Sequence, residues 1–375
     1  MKNCIIFLVL TSVGLLPFES VPLFAQDAQS GHGNPEPPRA GIHWARGQAP
    51  DPSARTADAS VSPNLIWHGG NIMVTAQTTA IFWGQNWNNP TFIGDKFTGL
   101  DSFYRSIGKS TYADTSDEYT DTSGPVSDTI TYTGNIIDLS AAPSSGSLTE
   151  PILAEVCKVI SNPVANGYYP VYVDTPRGQA GFCAWHSAGS CNGTAVQFAF
   201  FFNLDGDAGC DSQDTSGLHS QGLAALANVS GHEISEARTN PRLDAWYDSS
   251  GQENSDKCAW SFGSSLVTFS NTTTTTQWKI QGNWSNQAYN AGTGYANLSG
   301  QKGCIDGGNF KMPITPMVYV KDKTLWQYKR LTSNLAKEEA PSEEELNALG
   351  KEGWELAGIV TDHPIVRFYF KRLKD

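Results

Sequence analysis

The chain has 375 residues, which is longer than one ordinary domain and allows two folded units with tails. Hydrophobic residues make up 39% and aromatic residues 11%, enough for a folded core, whereas only 17% of residues are charged. The formal net charge of −12 excludes nucleic acid as an expected partner, because its phosphates would be repelled. This composition favours a secreted β-rich or α/β protein over a cytosolic helical one.

The first 25 residues have the pattern of a signal peptide. Lys2 supplies a positive charge, the apolar run CIIFLVLTSVGLLPF follows it, and Ala25 offers a cleavage position. A membrane anchor is the alternative, but Pro17, Glu19 and Pro22 interrupt the run before about 20 apolar residues accumulate. We therefore expect a secreted protein, extracellular or periplasmic, without a membrane span in its mature form.

Residues 26–62 follow the signal peptide and are rich in Pro, Ala, Ser and Gly without periodicity. This composition predicts a disordered linker or a propeptide. We expect the main folded domain to span residues 63–314 and a second, small domain to span residues 315–375.

Six cysteines remain after the predicted signal peptide, an even number that predicts up to three disulfide bonds in an exported protein. They are Cys157, Cys183, Cys191, Cys210, Cys258 and Cys304. Their short separation makes Cys183–Cys191 the first expected bridge. A bridge between Cys258 and Cys304 would close the segment after the acidic motif described below.

Strand and helix patterns alternate along the main domain. Apolar and aromatic runs predict strands in residues 71–84, 167–175 and 195–205, and helical spacing predicts helices in residues 95–108 and 147–163. A longer helix is predicted in residues 216–241, ending before Pro241. This order is typical of an α/β domain of about 250 residues.

The pattern of the C-terminal segment predicts a small α+β domain with the element order β-α-β-β. LWQYKRL, WELAGIV and VRFYFKRL read as strands, and Ser342 with Glu345 forms the capping box of the helix between the first two. The module resembles a small bacterial domain of unknown function marked by W-x-Y (Trp326, Tyr328) and LGKEGWEL (residues 349–356). The resemblance implies a packing or interaction role and no chemistry.

The stretch ANVSGHEISEARTNPRLDAWYDSSGQENSDKC, residues 227–258, holds the candidate site. His232 and Glu236 are four residues apart on a predicted helix, so both side chains project from one face and can chelate a metal. Glu233 has the position of the general base in H-E-x-x-H metallopeptidases. Glu253, 17 positions after Glu236, is the expected third ligand, and Asp256 is expected to orient His232.

The expected cofactor is a divalent metal ion. The peptidase pattern predicts zinc, whereas two carboxylate ligands favour manganese or calcium. His186, in GFCAWHSAG, is a further candidate ligand that would restore a His-rich site, and Asp248 is a further carboxylate. The alternative interpretation is a solvated helix face carrying Glu233 and Glu236, with His232 in a structural role.

The motif HEISEARTNPRLDAWYDSSGQENSDKCAW, together with FCAWHS and WHGGNIMVTAQTTAIFWG, resembles the phosphate-induced, EXORDIUM-like family of secreted proteins. The resemblance covers residues 65–310, roughly, and is closest to the bacterial type of that family. It implies export and a zincin-like α/β core with a long active-site helix. Plant members are associated with the cell wall, but the resemblance implies no particular activity.

Two functions are compatible with these patterns. The first is an exported metal-dependent hydrolase, a metallopeptidase of HExxE type, in which Glu233 deprotonates the attacking water. Its substrate would be a peptide or a cell-wall polymer, and the strand in residues 195–205 would pair with an extended substrate at the sheet edge. The alternative is a non-catalytic extracellular protein that binds cell-wall carbohydrate through its aromatic residues.

Overall fold

The computed structural model describes residues 38–50, 62–271, 274–312 and 326–373. The predicted signal peptide and much of the predicted linker, in residues 26–37 and 51–61, lie outside the described residues. Within those ranges no helix combines the length and the apolar character that crossing a membrane requires.

The elements are numbered in chain order. The strands are β1 (Ala40–Trp44), β2 (Ile66–Trp67), β3 (Ala76–Trp83), β4 (Thr120–Asp121), β5 (Gly124–Pro125), β6 (Ile130–Asp138), β7 (Gly167–Pro176), β8 (Phe182–Cys191), β9 (Thr194–Asn203), β10 (Trp246–Tyr247), β11 (Val267–Ser270), β12 (Thr275–Trp278), β13 (Asn283–Trp284), β14 (Tyr295–Ala296), β15 (Lys302–Ile305), β16 (Trp326–Asn334), β17 (Glu355–Asp362) and β18 (Ile365–Leu373). The α-helices are α1 (Pro90–Ile93), α2 (Lys96–Ile107), α3 (Glu150–Val159), α4 (Gln221–Thr239), α5 (Asn286–Ala291) and α6 (Glu343–Lys351).

A six-stranded mixed sheet, in the order β1-β8-β9-β7-β3-β6, forms the centre of the main domain. β6, β3, β7 and β9 run parallel to one another, whereas β8 is antiparallel to β9 and β1 is antiparallel to β8. Interior parallel strands are covered on both faces, which explains the nearly continuous apolar run of β9. The fold has mixed α/β content with a mainly β core and few helices, which confirms the predicted mixture of helices and strands.

Helices α3 and α4 cover opposite faces of this sheet near β8. Gly189 on β8 faces Leu153 of α3, whereas His186, three residues earlier and therefore on the other face of the strand, lies against α4. The central helix α4 is buried from Gly222 to Thr239, so all of its sides face other parts of the domain. Ser220 caps its first turn, and the helix ends before Pro241 as predicted.

Two predictions for the sheet need correction. Residues 38–50 belong to the segment predicted to be a disordered linker or a propeptide, and Ala40–Trp44 forms β1, so the prediction of disorder is wrong there. The strand expected to pair with substrate is β9, and it lies between β8 and β7 with no free edge. The edge beside β8 is instead occupied by β1.

The six cysteines form three disulfides: Cys157–Cys191, Cys183–Cys210 and Cys258–Cys304. The predicted Cys258–Cys304 bridge is confirmed, whereas the predicted Cys183–Cys191 bridge is wrong. Both of those cysteines lie near the ends of β8, and the ends of a ten-residue strand are about 30 Å apart. Three disulfides are consistent with an oxidising, extracellular compartment.

The C-terminal segment forms a three-stranded sheet in the order β16-β18-β17, with α6 between β16 and β17 in the chain. The capping box of Ser342 and Glu345 is present at the start of α6. Leu349 of α6 packs with Val366, Phe368 and Phe370 of β18 in a small core. The order of these elements is the one that the sequence predicts.

Candidate metal centre

His232 and Glu236 lie on one face of α4, one helical turn apart. The Nε2 atom of His232 is 3.1 Å from the Oε2 atom of Glu236, and both side chains are fully buried. Burial of two ionisable groups within a fully buried helix requires compensating partners. The alternative of a solvated helix face is therefore wrong for these residues.

Asp256 joins this pair from a 3₁₀ turn that follows the predicted acidic loop. Its backbone N–H donates a hydrogen bond of 2.8 Å to Oε1 of Glu236. Its own Oδ1 atom lies 3.6 Å from Nε2 of His232. One ligand atom from each of His232, Glu236 and Asp256 falls within 4.8 Å of the others, close enough for all three to share one ion.

A second group of side chains adjoins the first through Glu236. His186 Nε2, on β8, lies 3.1 Å from Oε2 of Glu253 and 3.7 Å from Oε2 of Glu236. Ligand atoms of His186, Glu233 and Glu236 also lie within 4.8 Å of one another. We call these six residues the His/Glu cluster: His186, His232, Glu233, Glu236, Glu253 and Asp256.

The structure brings all the sequence-predicted site residues into this cluster, but with a different arrangement. Asp256, not Glu253, forms the three-residue group with His232 and Glu236. Glu253 uses its Oε2 atom for His186 and its Oε1 atom to accept a 2.7 Å hydrogen bond from Asn240. Glu253 as a metal ligand stays a prediction. Asp248 lies in an ion pair with Lys257, at 2.6 Å.

The side chain that orients His232 is Gln281, which sequence reasoning missed. Its amide nitrogen lies 3.0 Å from Nδ1 of His232 and donates to the Ser255 carbonyl at 3.1 Å. Its amide oxygen accepts from the Trp260 N–H at 3.2 Å and lies 3.0 Å from Nε2 of His43. These contacts hold the imidazole with Nε2 directed into the cluster. Because the Gln281 amide donates to Nδ1, the proton of the neutral ring lies on Nε2, and a bound ion would have to displace it. The only sequence signal was a polar residue between Ile280 and Gly282.

Two residues of β1 cover the cluster, and they too were missed. The ring of His43 packs edge-on against that of His232, with centroids 4.5 Å apart. Gly41 lies so close that a Cβ atom added to it would be 1.9 Å from Oε2 of Glu236 and 2.5 Å from Nε2 of His186. Its φ of +50° is in the left-handed region, which independently favours glycine.

Burial dominates the protonation equilibria of the cluster. It raises the pKa of Glu233, Glu236 and Asp256 well above the ordinary carboxyl value, and neighbouring carboxylates raise each pKa further. Burial, and next the charge of His186, lower the pKa of His232 to about 3. Burial also lowers the pKa of His186, but the charges of Glu253 and then Glu236 raise it by more, so the pKa of His186 is raised.

Several buried atoms of the cluster make no hydrogen bond of good geometry among the described residues. They are Nδ1 of His186, Nε2 of His232, Oε2 of Glu236 and both carboxylate oxygens of Glu233, although the backbones of Gly41 and His43 lie against His232 and Glu233. Leaving a buried polar group unpaired costs roughly 1–3 kcal/mol, and folded proteins pair nearly all such groups. Imidazole nitrogen and carboxylate oxygen are ligands for divalent ions. A cation among them would also relieve the mutual repulsion of the carboxylates, so the residues fit a divalent ion.

Comparisons of this chain with family models, with curated proteins and with solved structures found no match. The chemistry of the cluster therefore has to be inferred from its own geometry.

Proposed function

We propose that this protein is an exported metal-dependent hydrolase of peptidase type, with the His/Glu cluster as its active site. The observation that carries the proposal is the buried Glu233 carboxylate, which makes no hydrogen bond of good geometry, beside the His232–Glu236 pair on one helix. A purely structural network would be expected to satisfy these groups. The EXORDIUM-like resemblance and a zincin-like core are part of the same proposal, supported by the long helix packed on a mixed sheet.

His232, Glu236 and Asp256 would hold the ion, and His186 or Glu253 would complete its coordination. A divalent ion bound there would act as a Lewis acid, which polarises a carbonyl group and makes a water molecule more acidic. Zinc, manganese and calcium remain the candidate ions, because the donors combine imidazole with carboxylate.

Glu233 would act as the general base. Burial, and next Glu236, raise its pKa, and a cation bound beside it would favour the ionised form that accepts a proton. Water attacks the carbonyl carbon of the scissile bond while its proton moves to Glu233. As the carbon–nitrogen bond breaks, Glu233 returns the proton to the leaving amine. Gln281 holds His232 in place throughout and does not contact the reacting atoms.

Metal analysis of the purified mature protein tests the proposal first. We expect about one divalent ion per chain in the wild type and none in His232→Ala, since that change removes an imidazole ligand. Equal metal content in the two proteins would refute the metal centre.

Hydrolysis of a fluorescent peptide library tests the chemistry. Glu233→Gln is expected to abolish chelator-sensitive cleavage while the metal content and the fold stay unchanged. Glu155→Gln, a similarly buried change on α3 outside the cluster, serves as the matched control. Cleavage that persists both in Glu233→Gln and after chelation would exclude a peptidase site here.

A further inference from the structure

The strand β1 occupies the edge of the central sheet directly over the His/Glu cluster. It pairs antiparallel with β8, with Ala40 opposite His186, His43 opposite Ala184 and Trp44 opposite Phe182. An extended peptide that binds to a sheet edge makes the same kind of pairing. Without β1, the edge strand would be β8, which carries His186.

The inward face of β1 fills the space that a reacting group would need. Gly41 and His43 are buried, whereas Ala40, Ile42 and Trp44 on the alternate positions are partly exposed. The Gly41 backbone contacts Glu236 and His186 so closely that no side chain fits at this position. A backbone without a side chain, placed against the proposed metal ligands, has the position expected of a substrate backbone.

The pairing of β1 with β8 is irregular where it crosses the cluster. The register shifts between Ala40 and His43 and again between His43 and Trp44. The left-handed φ of Gly41 lies in the first irregular stretch and breaks the extended conformation there. β1 therefore fills the groove without presenting a regular extended strand to the cluster.

β1 contacts the cluster side through buried His43, which lies 3.0 Å from Gln281 and packs against His232 and Trp260. Further contacts hold its two ends. Ser187 donates a 2.7 Å hydrogen bond to the Pro38 carbonyl before the strand. After the strand, the Arg46 guanidinium donates to the Asp211 carbonyl at 3.0 Å and stacks over the Trp260 ring at 4.2 Å. Arg46 is partly exposed, so this outer contact can be weakened without changing the cluster.

We propose that β1 is a displaceable occupant of a peptide-binding groove, which keeps the His/Glu cluster closed until the strand leaves. The ligand that replaces it would be an extended polypeptide that pairs antiparallel with β8 and has a very small residue over Glu236. This inference rests on the proposed function for its biological purpose, but the groove and its occupancy are tested without hydrolysis.

The test uses the full chain and three variants. Gly41→Val places a branched side chain against Glu236 and His186, and Arg46→Ala removes the outer anchor. Gly47→Val is the matched control, because it also introduces valine at a glycine with positive φ (+70°). A Cβ atom added at Gly47 would have no other atom within 4 Å, so the new side chain meets no neighbour. Hydrogen–deuterium exchange of the β8 amides reports whether β1 has left its edge.

We expect the β8 amides to exchange at least tenfold faster in Gly41→Val and Arg46→Ala than in wild type, with Gly47→Val unchanged. A synthetic peptide of residues 38–48, PRAGIHWARGQ, should restore slow exchange in the two opened variants. If Gly41→Val does not fold, the same comparison in Arg46→Ala decides. If Gly41→Val or Arg46→Ala is folded and its β8 amides exchange as slowly as those of wild type, β1 is an ordinary structural strand and the inference is overturned.

The two proposals fail in different ways. Faster exchange together with at least tenfold faster peptide cleavage supports both of them. Faster exchange with binding of the 38–48 peptide, but without cleavage of any peptide in the metal-loaded protein, supports the groove and refutes the hydrolase. Unchanged exchange beside chelator-sensitive cleavage refutes the displaceable strand and leaves the hydrolase standing.

Discussion

Glu236 divides its two carboxylate oxygens between two neighbours, and the first of them is Asp256. The Asp256 N–H donates to Oε1 at 2.8 Å, whereas Oε2 faces Nε2 of His232 at 3.1 Å. One bond thus ties the helix α4 to a turn 20 residues further along the chain. Because Oε1 is occupied by the backbone, Oε2 is the oxygen directed at the two imidazoles.

This division makes Glu236→Gln a selective change. The amide oxygen can still accept the Asp256 N–H, but the NH2 group that replaces Oε2 cannot bind a cation. We expect zinc affinity, measured by isothermal titration calorimetry, to fall by at least about 100-fold with the fold retained. The zinc-dependent rise in melting temperature should disappear as well.

Glu155→Gln is the control for this prediction, since it makes the same chemical change at another buried helix position. It should keep the zinc response of wild type. An unchanged zinc affinity in Glu236→Gln would mean that Glu236 does not hold the ion.

Gln281→Leu should weaken both the fold and the metal centre. The change leaves His43 Nε2, the Trp260 N–H and the Ser255 carbonyl without this partner, so we expect urea denaturation to show a loss of about 2–4 kcal/mol. It also frees the His232 ring, which should lower zinc affinity about 10–100-fold. Gln277→Leu, at an exposed position of β12, should change neither quantity. Lost stability with intact zinc affinity would assign Gln281 to the fold alone.

Replacing two of the disulfides in turn distinguishes an effect on stability from an effect on metal binding. Cys258–Cys304 and Cys157–Cys191 span 46 and 34 residues, so replacing either pair with serine should lower the unfolding free energy by about 4 kcal/mol. Only Cys258 lies in the 3₁₀ turn Asp256–Cys258. We therefore expect zinc titrations to show weaker binding for the Cys258/Cys304 double variant and ordinary binding for the other. Equal zinc affinities would show that the turn keeps its position without the bridge.

Asp117 should make stability depend on pH. Burial raises its pKa from 3.8 to about 7, partly offset by Arg238 and increased again by Asp114. A raised folded-state pKa means that the group stabilises the fold below pH 3.8, and that this contribution is lost as the pH rises through about 7. Asp117→Asn, which cannot ionise, should therefore exceed wild type by about 1 kcal/mol at pH 8, a value reduced for solvent screening.

Urea denaturation at pH 4 and pH 8 checks this prediction. At pH 4 Asp117→Asn and wild type should unfold at nearly the same urea concentration. Asp244→Asn removes the same charge from an exposed side chain and is the control. A stability gain of Asp117→Asn at pH 4 equal to that at pH 8 would contradict the assignment.

The helical part of the site was predictable because its signals are local. His232 and Glu236 are spaced by one turn, Ser220 and Pro241 bound the helix, and the acidic loop follows within 20 residues. Gln281 and His43 reach His232 from positions 49 and 189 residues away, and no local pattern connects them. Spacing alone also could not show whether Glu253 or Asp256 faces Nε2 of His232, because that depends on the conformation of the acidic loop.

Sheet order was the least predictable feature. The pattern of β9 correctly indicated a buried strand, but its neighbours are set by pairing with β7 and β8, on opposite sides. β1 has only five residues within a Pro- and Gly-rich segment, too few for a clear alternation. The disulfide error has the same origin, since Cys157 and Cys191 are brought together by the packing of α3 on the sheet.

The depth of the cluster has a kinetic consequence for any ion held there. His232 and Glu236 are completely buried and Asp256 is only 18% exposed, so a chelating agent in solution has little access to an ion bound among them. Release then has to await a local opening of the protein, and its rate should reach a plateau as the chelator concentration increases. The release rate at that plateau would equal the rate at which the protein opens.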